Sequence, residues 1–257
     1  MLTARFEALR ARGRRALVCY ATAGHPDPDR SVALWQGLEA AGADVIEVGV
    51  PFSDPMADGP VIQASSQAAL AHGVSLDGAL ALVARAKLGI PVVLFSYLNP
   101  LLAAGPDVLT RAQQAGVHGV LVTDLPVGSD AARERWLGEG PLDFVRLVAP
   151  TTPQERMAEI ARHGRGFVYL ISRLGVTGVS EQLPDDLPQT IGRLRAVCTL
   201  PICVGFGIAR PEQARALGAH ADGIVVGSAI VRAANESVDA AVSLARGLRA
   251  ALDEGGA

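Results

Sequence analysis

Cysteine, aromatic residues and charge are all scarce in this sequence of 257 residues. The three cysteines, Cys19, Cys198 and Cys203, are odd in number and include no C-x-x-C pair. This pattern argues against a disulfide framework and favours a reducing compartment, so we expect a cytoplasmic protein. No apolar run approaches the roughly 18 residues that suggest a membrane span, so none is expected.

Charged residues make up only 19% of the chain, below the roughly 25% typical of soluble domains. This deficit indicates that much of the backbone lies in elements buried on both faces. The formal net charge of −3 gives no reason to expect a nucleic acid or a membrane surface as partner. The length suits one large domain spanning residues 1–257.

A single alternation of β-rich and helical segments runs through the chain. Apolar residues at helical spacing separate the β-rich runs, and Leu2, Phe6 and Leu9 predict an extra N-terminal helix. Eight strand–helix units in about 250 residues favour a closed, parallel (β/α)₈ TIM barrel over an open sheet. The predicted strands are 16–20, 45–50, 91–97, 118–124, 144–148, 166–172, 201–205 and 223–227.

Two predicted loops, 51–63 and 173–188, exceed the usual length of about two to six residues after a barrel strand. Both follow the carboxyl ends of strands, where barrel enzymes place their chemistry. They are candidate active-site lids, or else tolerated surface insertions.

Glu47 interrupts an otherwise apolar strand. Burial without a partner raises the pKa of a carboxyl group towards the range that general acid–base catalysis needs. Pairing with an arginine or lysine of a neighbouring strand would explain the residue equally well. In the next loop, Asp54 precedes a proline and has the character of a turn residue, whereas Asp58 could reach over the barrel mouth. The five histidines are scattered, so we expect no metal site.

Glycines follow the two last predicted strands, at Gly207 and Gly227. Gly227-Ser228 precedes a short predicted helix, and a helix N-terminus presents free N–H groups to an anion. Loops after strands seven and eight form the common phosphate site of barrels, so we expect a phosphorylated substrate. Gly178 could add a further N–H. Each glycine alone would also fit an ordinary turn.

All three tyrosines lie near the ends of predicted strands. Tyr20, Tyr97 and Tyr169 lie there, and Phe206 follows the seventh strand. This placement indicates a pocket for a flat apolar group, with core packing as the alternative for each ring.

Four segments together resemble the tryptophan synthase α subunit family. The long segment 42–63 (GADVIEVGVPFSDPMADGPVIQ) carries most of the resemblance because of its length. The shorter segments 172–178 (SRLGVTG), 204–208 (VGFGI) and 227–232 (GSAIVR) follow in order along the chain. The resemblance implies retro-aldol cleavage of 1-C-(indol-3-yl)glycerol 3-phosphate to indole and glyceraldehyde 3-phosphate, in tryptophan biosynthesis.

The resemblance also implies roles for individual residues. Glu47 would transfer protons, and Asp58 would accept a hydrogen bond from the indole N–H. Thr177 would link the loop after strand six to Asp58. The remaining expected site residues line the indole pocket (Tyr20, Phe95, Tyr97, Tyr169, Phe206) or hold the phosphate (Gly178, Gly207, Gly227, Ser228).

The family further implies an α₂β₂ assembly in which a β subunit carries pyridoxal phosphate and receives the indole. No cofactor is expected in this chain. One departure from the family is His25, where aspartate is usual. It leaves the expected chemistry intact, but the resemblance does not extend to the first barrel loop and the contacts made through it.

Two other hypotheses remain from the sequence. Another phosphosugar barrel, such as an indole-glycerol-phosphate synthase or an isomerase, would be expected to place a catalytic lysine or cysteine at a strand end. The single lysine, Lys87, ends a helical stretch, which argues against that. A non-catalytic module that activates a β partner would have little reason to keep Glu47, Asp58 and the phosphate glycines together.

Overall fold

The computed structural model of the chain describes residues 1–172, 184–205 and 207–255. Its eight parallel strands pair in chain order, and the eighth pairs with the first to close a barrel. The TIM barrel predicted from the alternating pattern is therefore confirmed. The strands are β1 (Ala16–Thr22), β2 (Val45–Gly49), β3 (Val92–Ser96), β4 (Gly119–Val122), β5 (Asp143–Val148), β6 (Val168–Ile171), β7 (Ile202–Gly205) and β8 (Gly223–Val226).

Helices cover the outside of the barrel. Apolar side chains that point outward from the strands pack against the buried faces of these helices and form the largest core cluster. The helices are α1 (Leu2–Ala11), α2 (Pro28–Ala40), α3 (Pro60–Ala71), α4 (Leu76–Ala86), α5 (Leu98–Ala103), α6 (Val108–Gln114), α7 (Ala131–Gly138), α8 (Gln154–Arg162), α9 (Leu187–Arg195), α10 (Pro211–Gly218), α11 (Ser228–Glu236) and α12 (Val238–Gly255).

The predicted N-terminal helix, α1, closes one end of the barrel. Its residues Leu2, Phe6 and Leu9 pack into the lower interior, where the ring of Phe6 lies 5.4 Å from that of Phe167. Arg5 pairs with the buried carboxylate of Asp44, the residue before β2, at 2.6 Å. Since the amino-terminal end is filled, the interior can open only at the carboxyl ends of the strands.

The predicted loops are shorter than expected at their far ends. The loop after β2 ends at Gly59, because Pro60 occupies the first position of α3, where the missing N–H of proline is not needed. Most of the loop predicted at 173–188 lies outside the described residues, but α9 begins at Leu187 and so takes up its last two residues.

Among the residues that the structure describes, no single helix is long and apolar enough to cross a membrane, although α3 and α4, bent by 92° to one another, would pass as a pair on length and composition alone.

Candidate active site

Glu47 lies in the middle of β2 with its side chain inside the barrel. The register places it beside Tyr20 of β1 and Val93 of β3, and only 1% of the residue is exposed. Its Oε1 atom has no hydrogen-bond partner among the described residues. Because burial penalises the charged form, the pKa of this carboxyl group rises from 4.5 to about 8. The alternative raised by the sequence, pairing with a basic residue of a neighbouring strand, has no counterpart among the described contacts of Glu47.

Asp58 lies at the end of the loop after β2, over the carboxyl end of the barrel. It is 8% exposed, and its Oδ2 atom accepts a hydrogen bond from the Tyr97 hydroxyl at 3.0 Å. The Tyr97 hydroxyl in turn accepts from the backbone N–H of Ala57 at 2.9 Å. The ring of Phe52 packs 5.0 Å from that of Tyr97. Tyr97 therefore holds both the backbone and the carboxylate of this loop.

The two carboxyl groups have separated pKa values. Burial raises the pKa of Asp58 from 3.8 to about 6, against the lowering effect of the Tyr97 hydrogen bond. At neutral pH, Glu47 is therefore mostly protonated while Asp58 is mostly ionised. Such separation distinguishes an acid from a base within one site.

Aromatic rings line the barrel mouth beside these groups. The rings of Tyr20 and Phe95 meet edge to face at 5.3 Å, and Tyr169 points inward from β6. Room for the tyrosine hydroxyls comes from two strand glycines. A Cβ atom on Gly49 would lie 2.1 Å from the Tyr20 hydroxyl, and one on Gly205 would lie 2.1 Å from the Tyr169 hydroxyl.

The first turn of α11 offers a binding site for an anion on the β7–β8 side of the mouth. Gly227 caps the helix, Ser228 is its first residue, and the first turn contains no acidic residue. Gly207 has a φ of 77°, in the region that favours glycine, just after β7. All three are partly exposed, so the unpaired N–H groups at the start of α11 can meet a ligand.

The family model described as tryptophan synthase alpha chain matches residues 6–254. The chain belongs to the tryptophan synthase alpha chain family. It is therefore a lyase, and the reaction of this family is the cleavage of indole-3-glycerol phosphate.

Relatives within the family match over most of their length. The alpha chain of Laribacter hongkongensis is 46% identical over 257 residues, which cover 97% of each chain. That of Chromobacterium violaceum is 50% identical over 224 residues, 86% of each chain. Among solved structures, a tryptophan synthase chain of Mycobacterium tuberculosis superposes with a TM-score of 0.90 at 38% identity and covers 98% of this chain and 97% of its own. The alpha subunit of Legionella pneumophila gives a TM-score of 0.89 at 35% identity and covers 98% of both chains.

The structure brings most of the predicted site residues of this alpha-family chain to one end of the barrel. Glu47, Asp58 and the aromatic residues lie around the mouth, while Gly207, Gly227 and Ser228 lie on the β7–β8 side. Three predicted residues, Thr177, Gly178 and Phe206, lie outside the described residues. Their roles remain predictions.

Sequence reasoning missed several groups that shape the site. The hydroxyl of Thr22 lies 3.3 Å from the Tyr20 hydroxyl and 2.7 Å from that of Ser65 in α3, so these three groups form a buried chain. Gly49 and Gly205 make room for the Tyr20 and Tyr169 hydroxyls, a role that was not predicted from the sequence. A glycine inside a strand marks a close approach of other atoms, and that signal was available in the sequence.

Proposed function

We propose that Glu47 is the proton-transfer group in the cleavage of 1-C-(indol-3-yl)glycerol 3-phosphate. The observation that carries this proposal is its buried carboxyl group, unpartnered at Oε1, with a pKa raised to about 8. A carboxyl group that stays protonated at neutral pH can act as a general acid, and its conjugate base can then take a proton back.

The reaction needs two proton transfers and no change in oxidation state. The Glu47 carboxyl group gives its proton to C3 of the indole ring, which places positive charge on the ring nitrogen. The bond between C3 and the adjacent glycerol carbon then breaks, and its electron pair returns to the ring. The hydroxyl on that carbon loses its proton to the Glu47 carboxylate and becomes the aldehyde of glyceraldehyde 3-phosphate. Glu47 ends protonated, and indole is released.

Asp58 stabilises the positive charge on the ring nitrogen in this proposal. Its pKa of about 6 leaves it ionised at neutral pH, and it can accept a hydrogen bond from the indole N–H. The hydrogen bond from Tyr97 keeps the carboxylate oriented over the mouth. Because Glu47 makes both proton transfers and no oxidation state changes, the proposed reaction needs no cofactor in this chain.

The proposed substrate site has two parts, one for the indole ring and one for the phosphate group. The ring would pack among Tyr20, Phe95 and Tyr169, with Phe206 and Thr177 as further contacts expected from the family. The phosphate would accept hydrogen bonds from Ser228 and from the backbone at the start of α11, with Gly207 and Gly178 adding to the cradle.

The partner in this proposal is a tryptophan synthase β subunit, which holds pyridoxal phosphate and receives the indole in an α₂β₂ assembly. Met56, at the tip of the loop that carries Asp58, is 88% exposed. A partner that contacted Met56 would act on the same loop that carries Asp58. The three cysteines are all free and buried, which fits a reducing cytoplasm.

Glu47→Gln is the direct test. Gln has nearly the same shape but cannot exchange a proton, so indole formation should fall by at least about a thousandfold while substrate still binds. The exposed Glu7→Gln serves as control and should keep full activity. Indole release is measured with and without a β subunit. Substantial turnover by Glu47→Gln would contradict the assignment, and a wild-type chain that makes no indole under either condition would support the non-catalytic module instead.

A further inference from the structure

The first barrel loop, residues 23–27, is fixed to the helices beside it. The backbone N–H of Gly24 donates to the Ser31 hydroxyl in α2 at 3.1 Å, and the His72 ring lies 3.2 Å from the carbonyl of Pro26. Val74 packs so closely on Gly24 that a Cβ atom there would lie 2.5 Å from its methyl group. This loop is therefore a firm attachment point rather than a loose connection.

His25 extends from this loop to α11. The residue is 5% exposed, and its Nε2 atom lies 2.8 Å from Oδ1 of Asn235, a residue 210 positions further along the chain. Since a carbonyl oxygen only accepts, Nε2–H is the donor. Asn235 is the last residue but one of α11, the helix whose first residue is Ser228.

The other contacts of α11 are mainly apolar. Ile230, Val231 and Ala234 are buried, and Val231 packs in a cluster with Tyr20 and Ile62. Apolar packing holds a helix against the barrel but is not directional. A hydrogen bond at one end fixes the rotation of the helix and its position along its axis, and a helix moves as a rigid unit.

We propose that His25 is a positioning residue for the phosphate end of the substrate. By holding Asn235 it fixes α11, and so fixes where the N–H groups of Ser228 and the following residues point. This inference rests on the phosphate site of the proposed function. It predicts that loss of the His25–Asn235 hydrogen bond weakens phosphate binding and leaves the chemistry at the ring intact.

The test uses His25→Ala, Asn235→Ala and the double variant in the full chain. Asn235 is exposed, so its removal leaves the core untouched. Loss of one hydrogen bond should weaken glycerol 3-phosphate binding by about three- to tenfold. Indole binding and kcat should stay within about twofold of the wild type, while KM rises. The double variant should be no weaker than either single variant, because both remove the same bond.

Two further variants complete the design. Glu236→Ala changes an exposed neighbour at the same helix end and should leave glycerol 3-phosphate affinity unchanged. His25→Gln keeps a side-chain N–H donor and should restore most of the affinity. Calorimetric titration with glycerol 3-phosphate and with indole gives the two affinities. Unchanged phosphate affinity in Asn235→Ala, additive effects in the double variant, or a fall in kcat alone would overturn the positioning role.

Ser228→Pro separates this inference from the proposed function. Proline fits the first position of a helix, but it removes one backbone N–H from the proposed phosphate cradle and disfavours the ψ of −82° at Gly227 before it. It should reduce glycerol 3-phosphate binding strongly. Unchanged binding would overturn both proposals, whereas loss in Ser228→Pro without loss in the His25 and Asn235 variants would overturn the positioning role alone.

Discussion

Replacing Glu47 by glutamine should stabilise the protein increasingly as the pH rises. The folded protein holds this carboxyl group at a pKa of about 8, whereas the ordinary value is 4.5. Between these values the folded state keeps a proton that the unfolded chain releases, so the free energy of unfolding falls as the pH increases. The slope is about 1.4 kcal/mol per pH unit for a single fully shifted group. By pH 7 the wild type has lost about 3 kcal/mol in this way.

Glutamine is neutral at every pH and removes this dependence. The difference in unfolding free energy between Glu47→Gln and the wild type should grow by about 2.5 kcal/mol from pH 5 to pH 7. Urea denaturation followed by circular dichroism at several pH values measures it. The buried amide adds a constant offset, so the change with pH is the quantity to compare.

Glu7→Gln is the matched control, because Glu7 is exposed and its variant should follow the wild type at every pH. A difference between Glu47→Gln and the wild type that stays constant from pH 5 to pH 8 would refute the reasoning. It would mean that Glu47 is ionised in the folded protein, with a partner that the geometry does not account for.

The pKa values of the two carboxyl groups and the packing of the mouth lead to three further predictions. Since turnover needs Glu47 protonated and Asp58 ionised, a plot of kcat/KM against pH should be bell-shaped, with limbs near pH 6 and pH 8. The residual activity of Asp58→Asn should lack the acidic limb. Tyr97→Phe removes a hydrogen bond that lowers the pKa of Asp58, so the acidic limb of the pH profile should move to higher pH. An acidic limb that stays in place would show that this hydrogen bond does not act on the pKa of Asp58. Gly205→Ala puts a methyl group against the Tyr169 hydroxyl, and thermal or urea unfolding should report a loss of about 1–3 kcal/mol, which an unchanged midpoint would contradict.

Much of the fold follows from local pattern. All eight strands lie within about two residues of their predicted bounds, because short β-branched runs separated by helical spacing report burial on both faces directly. The loop after the second strand was predicted four residues too long, because the turn-rich composition favoured a loop through Gln63, whereas α3 begins at Pro60. Element ends depend on capping and packing, which a periodic pattern does not record.

The candidate site also combines residues that stand out in the sequence with contacts that only the fold creates. Glu47 stands out in the sequence because a carboxyl group interrupts an apolar strand, and the glycines before α11 mark a predicted anion site. The contact of Tyr97 with Asp58 joins residues 39 positions apart and leaves no local trace. The same holds for the hydrogen bond of His25 to Asn235, which links the two ends of the chain.

The sequence by itself determined the barrel, the end of it that carries the chemistry, and the family to which the chain belongs, because these depend on periodicity and on contiguous motifs. Only the tertiary structure decided whether Glu47 is paired and whether it is protonated. The sequence left open whether this residue forms a structural ion pair or acts as a catalytic acid. The desolvation of a carboxyl group depends on every element packed around it. The elements packed around Glu47 come from both sides of the closed barrel. The raised pKa of Glu47 is thus a property of barrel closure, and no segment of the chain contains it alone.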